Sequence, residues 1–560
     1  MPWKYRPWDP EVARRLALAM DKPMKYGDFL AGRGFEEASE VQAFMSTSLK
    51  DLPDPLTMPG MEKAVAILGE ARGEGALVAI SGDFDVDGLT ATALLKRALG
   101  DFGFRVVSRI PNRIDEGYGL SPAAVGELHD MGATYLITVD SGVSDAEAVL
   151  EAGRLGMKVI ITDHHHLPPS LPAAAAIINP HLGGGWEDAP LAGVGVAFML
   201  AGALRRSLGE QRQVQLIDHL ALVALGTIAD LAPLLGPNRT MVRNGLKVLL
   251  ASEWPGLAAL RRSLRLDGQP RISVRDVGFK MGPRLNAAGR LGSAGPALDI
   301  LMTEDPVEAS RLARQLDALN KVRYDTQASL VEEAMEMLEI ECLSSSLTVV
   351  LAKEGWPKGI LGLAASRLAE RSGKPTVMLT IQDGVAMGSG RTAGNFDLFG
   401  ALSRVRHLCL SMGGHSQAAG LKVPLESLDG FREAFERAAG EQSWSLGQND
   451  LLVDMVGSLP DLAVLARHLP ELEPYGQGHP APVIAIQGLN VLHAVCSRTG
   501  RVDLRLSDGL NRLNVSGFNL ASRLEEVGPV MDVAVVFDPE SSGYGNIWRL
   551  VDFRPSGQDS

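Results

Sequence analysis

Cysteine is scarce in this sequence: three residues in 560, Cys342, Cys409 and Cys496, widely spaced and without a Cys-x-x-Cys pair. That excludes a disulfide framework and a thiolate zinc site, and it fits a reducing, cytoplasmic setting. Long apolar runs are also missing. No stretch approaches the length needed to span a bilayer, and residues 1–10 carry Trp, Lys, Arg and Asp where a signal peptide needs a continuous apolar core, so neither export nor membrane insertion is expected. A basic excess is lacking too. The formal net charge of −13 excludes a protein that coats nucleic acid by bulk attraction. Any site for a polyanion must be local, built from bound cations and a few arginines, and the run Arg261, Arg262, Arg265, Arg271, Arg275, Lys280, Arg284, Arg290 could supply them. On charge pattern alone that run reads equally well as a solvated face.

What is present is the balance of a folded protein, 46% hydrophobic and 22% charged residues, in a chain long enough for two to four domains. Residues 76 to about 180 repeat a short apolar run, a polar loop and a helical stretch. The runs Ala76 to Ile80, Arg105 to Ile110, Tyr135 to Val139, Val159 to Thr162 and Ala176 to Ile178 are apolar on both faces, as buried parallel strands are. Right-handed crossovers then gather the following loops at the carboxyl edge of one sheet, where open α/β sheets bind ligands. Helical patterning dominates from Leu191 and ends in a long charged stretch from Asp305 to Glu341. A second α/β segment follows, with strands at Leu347 to Ala352, Thr376 to Thr380 and Val385 to Gly388 and a glycine-rich turn at Gly413 and Gly414. Short β-like runs beyond Gln448 predict a small OB-type barrel, a fold suited to single strands.

The chemistry concentrates in the loops of the first α/β segment. Strand Leu77 to Ile80 empties into Ser81-Gly82-Asp83-Phe84-Asp85-Val86-Asp87-Gly88, three carboxylates at alternate positions before a helix. Ionised carboxylates so close together repel, and a cation would compensate them. A solvated acidic turn is one alternative. A calcium loop is another, but its ligand spacing and closing Glu are absent. Three further segments point the same way: Asp140-Ser141-Gly142 and Asp163-His164-His165-His166 each follow a strand directly, and the helical stretch Leu220 to Ala229 ends in Asp230. A histidine triplet alone reads more readily as an exposed turn; its place after a strand is what sets it beside the aspartates. Carboxylates and imidazole without thiolate favour Mn2+ or Mg2+. Such a set can hold two ions about 3.5 to 4 Å apart with one carboxylate bridging, a spacing suited to in-line displacement at phosphorus.

These residues, in this order, resemble the DHH phosphoesterases, named for the Asp163-His164-His165 triplet. Within that group, Ile110-Pro111-Asn112-Arg113 with Glu116-Gly117-Tyr118-Gly119-Leu120, Ala224 to Asp230, Gly282 to Arg290, Glu354-Gly355-Trp356, Gly388-Ser389-Gly390-Arg391, Gly413 to Gly420 and Pro474-Tyr475-Gly476-Gln477-Gly478 are similar to the RecJ exonucleases across nearly the whole chain. The resemblance implies an α/β fold: a parallel-sheet DHH domain joined by a long helix to a second, DHH-associated α/β domain, with a C-terminal OB-like barrel. The expected boundaries are 1–55 for an N-terminal extension packing on the core, 56–305 for the catalytic domain with a helical insert, 306–342 for the connecting helix, 343–447 for the DHH-associated domain and 448–560 for the barrel.

It further implies Asp85, Asp87, Asp140, His164 and Asp230 as ligands of two Mn2+ or Mg2+ ions, with Asp140 bridging, Asp83 supporting or ligating, and His165 facing the scissile phosphate. Arg284, Ser389, Arg391 and His415 would hold phosphates, the first three the terminal 5′-phosphate, and Arg113 and Arg290 join them as substrate-binding residues. The implied activity is 5′-to-3′ hydrolysis of single-stranded DNA to 5′-mononucleotides in repair and recombination. The partners expected are a helicase and a single-stranded-DNA-binding protein, and a monomer is expected because no heptad repeats. Two other readings stand beside it: a phosphodiesterase for short oligonucleotides or cyclic dinucleotides, which the β-rich tail argues against, and a non-catalytic scaffold, which the intact Asp and His set argues against. Where the family often has His after Glu-Gly-Trp, this chain has Pro357-Lys358; Phe84 and Ser141 stand where Tyr and Asn are frequent. Gly193-Val194-Gly195 lacks the third glycine of a dinucleotide fingerprint and reads as the start of a packed helix.

Overall fold

The computed structural model describes residues 2–188, 191–209, 215–340, 346–444, 450–497, 500–538 and 547–557; Cys342 and the boundary residue Gln448 lie outside them. The chain divides into two compact units, one formed by Pro53–Ala232 and Asn244–Gly447, the other by Met1–Leu52, Pro233–Arg243 and Gln448–Ser560. Among the described residues no helix is long and apolar enough to cross a membrane.

The first unit starts with an all-parallel sheet of β1 (Leu77–Ser81), β2 (Arg105–Arg109), β3 (Ala133–Val139), β4 (Lys158–Thr162) and β5 (Ala176–Ile178). Its spatial order is β2-β1-β3-β4-β5. Val78, Ala79, Ile80, Leu136, Ile137, Ile160 and Ile161 are all buried, because helices cover both faces of the central strands; edge strand β2, Arg105-Val106-Val107-Ser108-Arg109, is only partly buried and is not apolar on both faces as expected. The chain leaves β1 toward β2 on one side and returns to β3 on the other. The carboxyl ends of β1 and β3 therefore flank the point where winding reverses, the place where such sheets leave a crevice. Between and after the strands come α1 (Val86–Asp101), α2 (Pro122–Asp130), α3 (Ala146–Arg154), α4 (Gly193–Ser207) and α5 (Leu220–Ala229). Helix α5 is buried from Leu220 to Ile228, as its almost wholly apolar sequence requires.

Helix α6 (Gly282–Leu291) precedes the 35-residue α7 (Pro306–Ile340), a rod of about 50 Å at helical rise. The second sheet contains β6 (Val349–Glu354), β7 (Thr376–Gln382), β8 (Val385–Arg391), β9 (Ser411–His415) and β10 (Ala418–Pro424), in the order β9-β10-β8-β7-β6. Only β6 and β7 run parallel. Helices α8 (Lys358–Ser372) and α9 (Leu428–Gly440) accompany it, and α9 buries Phe431 and Phe435 in its core. One expectation changes here. Gly413 and Gly414 do not form a turn but lie within β9, and the hairpin turns after them. A Cβ on Gly414, at φ +141°, would stand 2.3 Å from the Ala418 carbonyl oxygen, so the glycine is needed for close strand approach and not for a reversal.

The second unit holds a six-stranded sheet whose main path runs Arg512–Gly517, Val502–Ser507, Val483–Cys496, Val530–Phe537, Trp548–Pro555. Its first and last strands approach, with a Gly517 Cβ falling 2.8 Å from the Leu550 carbonyl oxygen, so the sheet curls toward a barrel. The N-terminal segment, expected on the catalytic core, belongs to this unit instead. Trp3–Tyr5 pairs in parallel with Leu451–Val453, the Trp3 indole donates to Asp552 at 2.8 Å, and Arg33 forks onto Asp454 at 2.6 and 2.8 Å. Tyr26, Phe29 and Leu30 are buried with Leu462, Leu465 and Ile484. Each such side chain removed from water contributes about 1.5–3 kcal/mol, enough to fix the allegiance of a segment that carries no other signal. Arg239, buried, donates to the carbonyls of Phe44, Leu472, Glu473 and Pro474, so the Pro474-Tyr475-Gly476 motif serves packing.

Candidate metal centre and anion cradle

Four loops of the first unit converge at the carboxyl edge of the parallel sheet. Asp85 caps α1, its Oδ1 accepting from the backbone N–H of Asp87 at 2.9 Å and of Gly88 at 3.2 Å, as an aspartate at a helix start does. Asp87, wholly buried, accepts at both oxygens from the first amides of α4, Gly193 at 2.7 Å and Val194 at 2.8 Å. Asp140 sits after β3 in the left-handed region, φ +57°, an uncommon conformation for a residue other than glycine and a frequent companion of function. Its amide donates to the Thr162 carbonyl at 3.0 Å, which ties the β3 loop to β4.

The side chains gather in three overlapping sets, the middle one being Asp140, His164 and His165. Asp83, Asp85 and Asp140 gather at one end; Asp87, His164 and Asp230 gather at the other, with ligand atoms in each set within 4.8 Å of one another. Asp140 connects them, because His164 Nε2 stands 3.1 Å from its Oδ1, 3.8 Å from Asp87 and 4.0 Å from Asp230. Burial, then the neighbouring carboxylates, drives Asp83, Asp87 and Asp140 well above the ordinary carboxylate range, and Asp230 is pushed up to about 7 by burial and Asp85. Burial and the adjacent His165 hold His164 down at about 4. The imidazole facing Asp140 is therefore neutral and does not relieve the carboxylates.

Asp83 Oδ1 and Asp140 Oδ1 are buried without a hydrogen-bond donor. An unsatisfied buried polar atom costs about 1–3 kcal/mol and calls for an explanation. Oxygen donors, one imidazole, mutual repulsion and two orphaned oxygens together fit hard or borderline divalent cations, and among the described residues no thiolate joins them to favour a softer metal. The small residues around the site are required by it. A Cβ on Gly193 would meet Asp140 at 2.7 Å, and one on Gly226 would meet Thr90 Oγ1 at 2.4 Å and Asp87 Oδ1 at 2.8 Å.

Asp163 plays a different part from its neighbours. Burial pushes its carboxyl up, but four donors prevail and hold it below the usual range: the amides of His164, His165 and Val143, and His165 Nδ1 at 2.8 Å. It thereby aims His165, whose ring burial alone would depress; Asp163 raises it to about 9. Tyr118 donates to the Asp140 carbonyl at 3.1 Å and packs edge-on against His165. His166 leaves the set and stacks on His181.

Beside Asp83 and Asp85 lies a cluster of arginines. Arg113 stacks over Phe84, its guanidinium carbon 4.6 Å from the ring centre. Burial and then Arg113 and Arg323 lower Arg290 to about 9, and burial and Arg113 lower Arg391. Among the described residues none of Arg113, Arg290, Arg323 and Arg391 forms an ion pair. The close approach of α6, α8 and β8 builds this cradle: a Gly359 Cβ would fall 2.0 Å from the Arg290 carbonyl oxygen, and a Gly362 Cβ would fall 2.7 Å from the Arg391 guanidinium and 3.4 Å from Ser389 Oγ. Arg391 pairs across the sheet with Ala418, which pairs with His415, so exposed His415 extends the same row. Arg284 does not join them; its side chain is taken by Asp317 and the Lys280 carbonyl. Arg323 of α7 comes close enough to Arg290 to repel it while its guanidinium bonds Gln327 and Asn320 on its own helix, and its place in a long charged helix gave no sign of it.

Three family descriptions match successive stretches: the DHH family, N-terminal domain over residues 77–227, the DHHA1 domain over 344–441 and the RecJ OB domain over 453–550. The single-stranded-DNA-specific exonuclease RecJ of Bacillus subtilis (strain 168) is 33% identical over 98% of this chain and 69% of its own length. Among solved structures, RecJ from Thermus thermophilus in complex with Mn2+ matches with TM-score 0.85 and 27% identity, over 100% of this chain and 81% of that one. The same protein in complex with Mg2+ gives TM-score 0.78 over 100% and 79%. With its parallel sheet, its DHH triplet and its curled C-terminal sheet all accounted for, the chain belongs to the RecJ family of single-stranded-DNA-specific exonucleases.

Proposed function

We propose that this protein is a metal-dependent exonuclease that hydrolyses single-stranded DNA from its 5′ end and releases 5′-mononucleotides. The observation that carries this reading is Asp140, a buried carboxylate with an orphaned oxygen standing between two ligand sets. Asp83, Asp85 and Asp140 would hold one Mn2+ or Mg2+ ion, and Asp87, Asp140, His164 and Asp230 a second. When bound, such ions supply positive charge at the phosphoryl oxygens and lower the pKa of water. The residues of the chain do the rest. Asp140 fixes the spacing of the two sets, and Asp163 locks the ring of His165 so that it can meet the scissile phosphate. Arg113, Arg290 and Arg391, with Ser389 and now Arg323, would receive the terminal 5′-phosphate, since an anion among guanidiniums that repel one another relieves their charge. His415 would touch a neighbouring phosphate, and Arg284 supports the α6–α7 packing from outside the cradle.

The purified protein with Mn2+ or Mg2+ should turn labelled single-stranded DNA into mononucleotides and leave duplex DNA and cyclic dinucleotides intact. Cleavage of cyclic dinucleotides alone would select the short-substrate phosphodiesterase, and no turnover with either metal would select a binding scaffold. A cytoplasmic role in repair and recombination, beside a helicase and a single-stranded-DNA-binding protein, completes the proposal.

A further inference from the structure

Helix α5 ends at Asp230 in a way its sequence does not need. Leu231 takes a left-handed backbone, φ +60°, while its amide donates to Ile228 and that of Ala232 donates to Thr227, a helix stop at which glycine or asparagine would be unstrained. The leucine side chain is nevertheless 70% exposed, so neither backbone nor packing accounts for it. Against the same last turn packs a five-residue π-helical turn, Val277–Met281, through Gly278 on Ile228 and Gly282 on Ala229. Val277 and Met281 are buried, whereas Phe279 between them is 77% exposed. A π-turn inside a helix often marks a working site. Lys280 and Arg284 stand next along the chain, paired with Asp276 and Asp317.

The path from this turn to the anion cradle is a single helix. From Phe279 the chain runs into α6, where Asn286 accepts from the Val86 amide at 3.2 Å, Gly289 abuts the Phe84 carbonyl and Arg290 enters the cradle. Eleven residues at helical rise separate Phe279 from Arg290 by about 16 Å. Helix α6 thus passes the metal centre from the Asp230 set to the Asp83 and Asp85 set.

We infer that Phe279 is a stacking site for one nucleobase of the strand whose 5′-phosphate occupies the arginine cradle. This rests on the nuclease reading above. An exposed aromatic on the path of a single strand holds it by stacking, which accepts any base. At about 3.4 Å or more per nucleotide, the base falls within roughly the first five of the strand.

The test scans a single abasic site along a 5′-phosphorylated single strand and compares the full-length protein with Phe279→Ala and Phe279→Trp. In the wild type one or two positions away from the terminal nucleotide should raise KM about five- to a hundred-fold. Phe279→Ala should raise KM by a similar factor on the intact strand, become indifferent to those abasic positions, and keep its preference for a 5′-phosphate and its melting temperature. Phe279→Trp should restore both KM and the positional effect. An unchanged KM in Phe279→Ala, or the same abasic penalty as in wild type, would overturn the inference while leaving the nuclease reading intact. Failure of the wild type to bind or cleave any single strand would overturn that reading and this inference with it.

Discussion

Gly193→Ala puts the placement of Asp140 to a sharp test, because alanine should be welcome there on every ground but one. Gly193 begins α4 without a left-handed backbone, and alanine is favoured over glycine in helices by about 1 kcal/mol. The added Cβ, however, would lie 2.7 Å from both Cβ and Oδ1 of Asp140 and 2.9 Å from its Cγ, where ordinary contacts begin at 3.4 Å. All three atoms belong to one short, buried side chain, so no flexible tip can swing away. Either the carboxylate or the start of α4 must move by about 0.7 Å, beyond the roughly 0.5 Å that a catalytic constellation tolerates. Asp87 would feel the same shift, since it is bonded to the Gly193 and Val194 amides.

Overpacking of this kind costs about 1–3 kcal/mol, partly offset by helix propensity, so the protein should still fold. A misplacement near 1 Å costs about a hundred-fold in rate. The assay is turnover of saturating 5′-phosphorylated single-stranded DNA with Mn2+, alongside thermal melting. Gly202→Ala serves as the control: it lies in the same helix and its Cβ would meet only Pro55, at 3.9 Å, so activity should be kept. Wild-type turnover in a folded Gly193→Ala protein would refute the geometry assigned to Asp140.

Three other outcomes are expected. Arg391→Ala and Arg290→Ala should each weaken discrimination between phosphorylated and unphosphorylated 5′ ends by about ten- to a hundred-fold in KM, the worth of a charge-assisted hydrogen bond, and equal losses on both ends would remove them from the cradle. Arg284→Ala, by contrast, should lower the melting temperature through loss of the Asp317 pair and leave end preference unchanged; a changed preference would return Arg284 to the substrate. In the second unit, burial and then Arg239 and Arg33 hold His479 down at about 3, below its unfolded value of about 6.5. Its contribution to stability is therefore full above pH 6.5 and lost as pH falls toward 3, by up to about 1.4 kcal/mol per pH unit. Melting of His479→Gln followed over that range should show a shallower acid slope than wild type, and parallel slopes would contradict the depressed pKa.

The acidic set was readable from sequence because all of its segments but the one at Asp230, which ends helix α5, follow a run apolar on both faces. Such runs are parallel strands, and parallel strands in a doubly wound sheet deliver their following residues to one edge; Asp83, Asp140 and His164 meet for that reason. What was not readable depends on contacts between segments remote in sequence. Arg284 sits in a motif as recognisable as that of Arg290, yet the two lie on different faces of α6, one toward Asp317 and one toward Gly359, and only the packing of α7 and α8 decides which is which. Arg323 has no motif at all. The partner of Trp3–Tyr5 lies at Leu451–Val453, and no local pattern in a three-residue strand can announce it. The division of labour between Asp163, which orients, and Asp140, which carries an orphaned oxygen, likewise appears only once their donors are counted.

The central claim is that one carboxylate joins two cation sites, and equilibrium Mn2+ binding measured by calorimetry tests it most directly. Wild-type protein should take up two Mn2+ ions per chain, and Asp140→Ala should lose tight binding at both sites together with all DNA cleavage while still binding single-stranded DNA. A wild-type stoichiometry of one or none, or two tight sites persisting in Asp140→Ala, would contradict it.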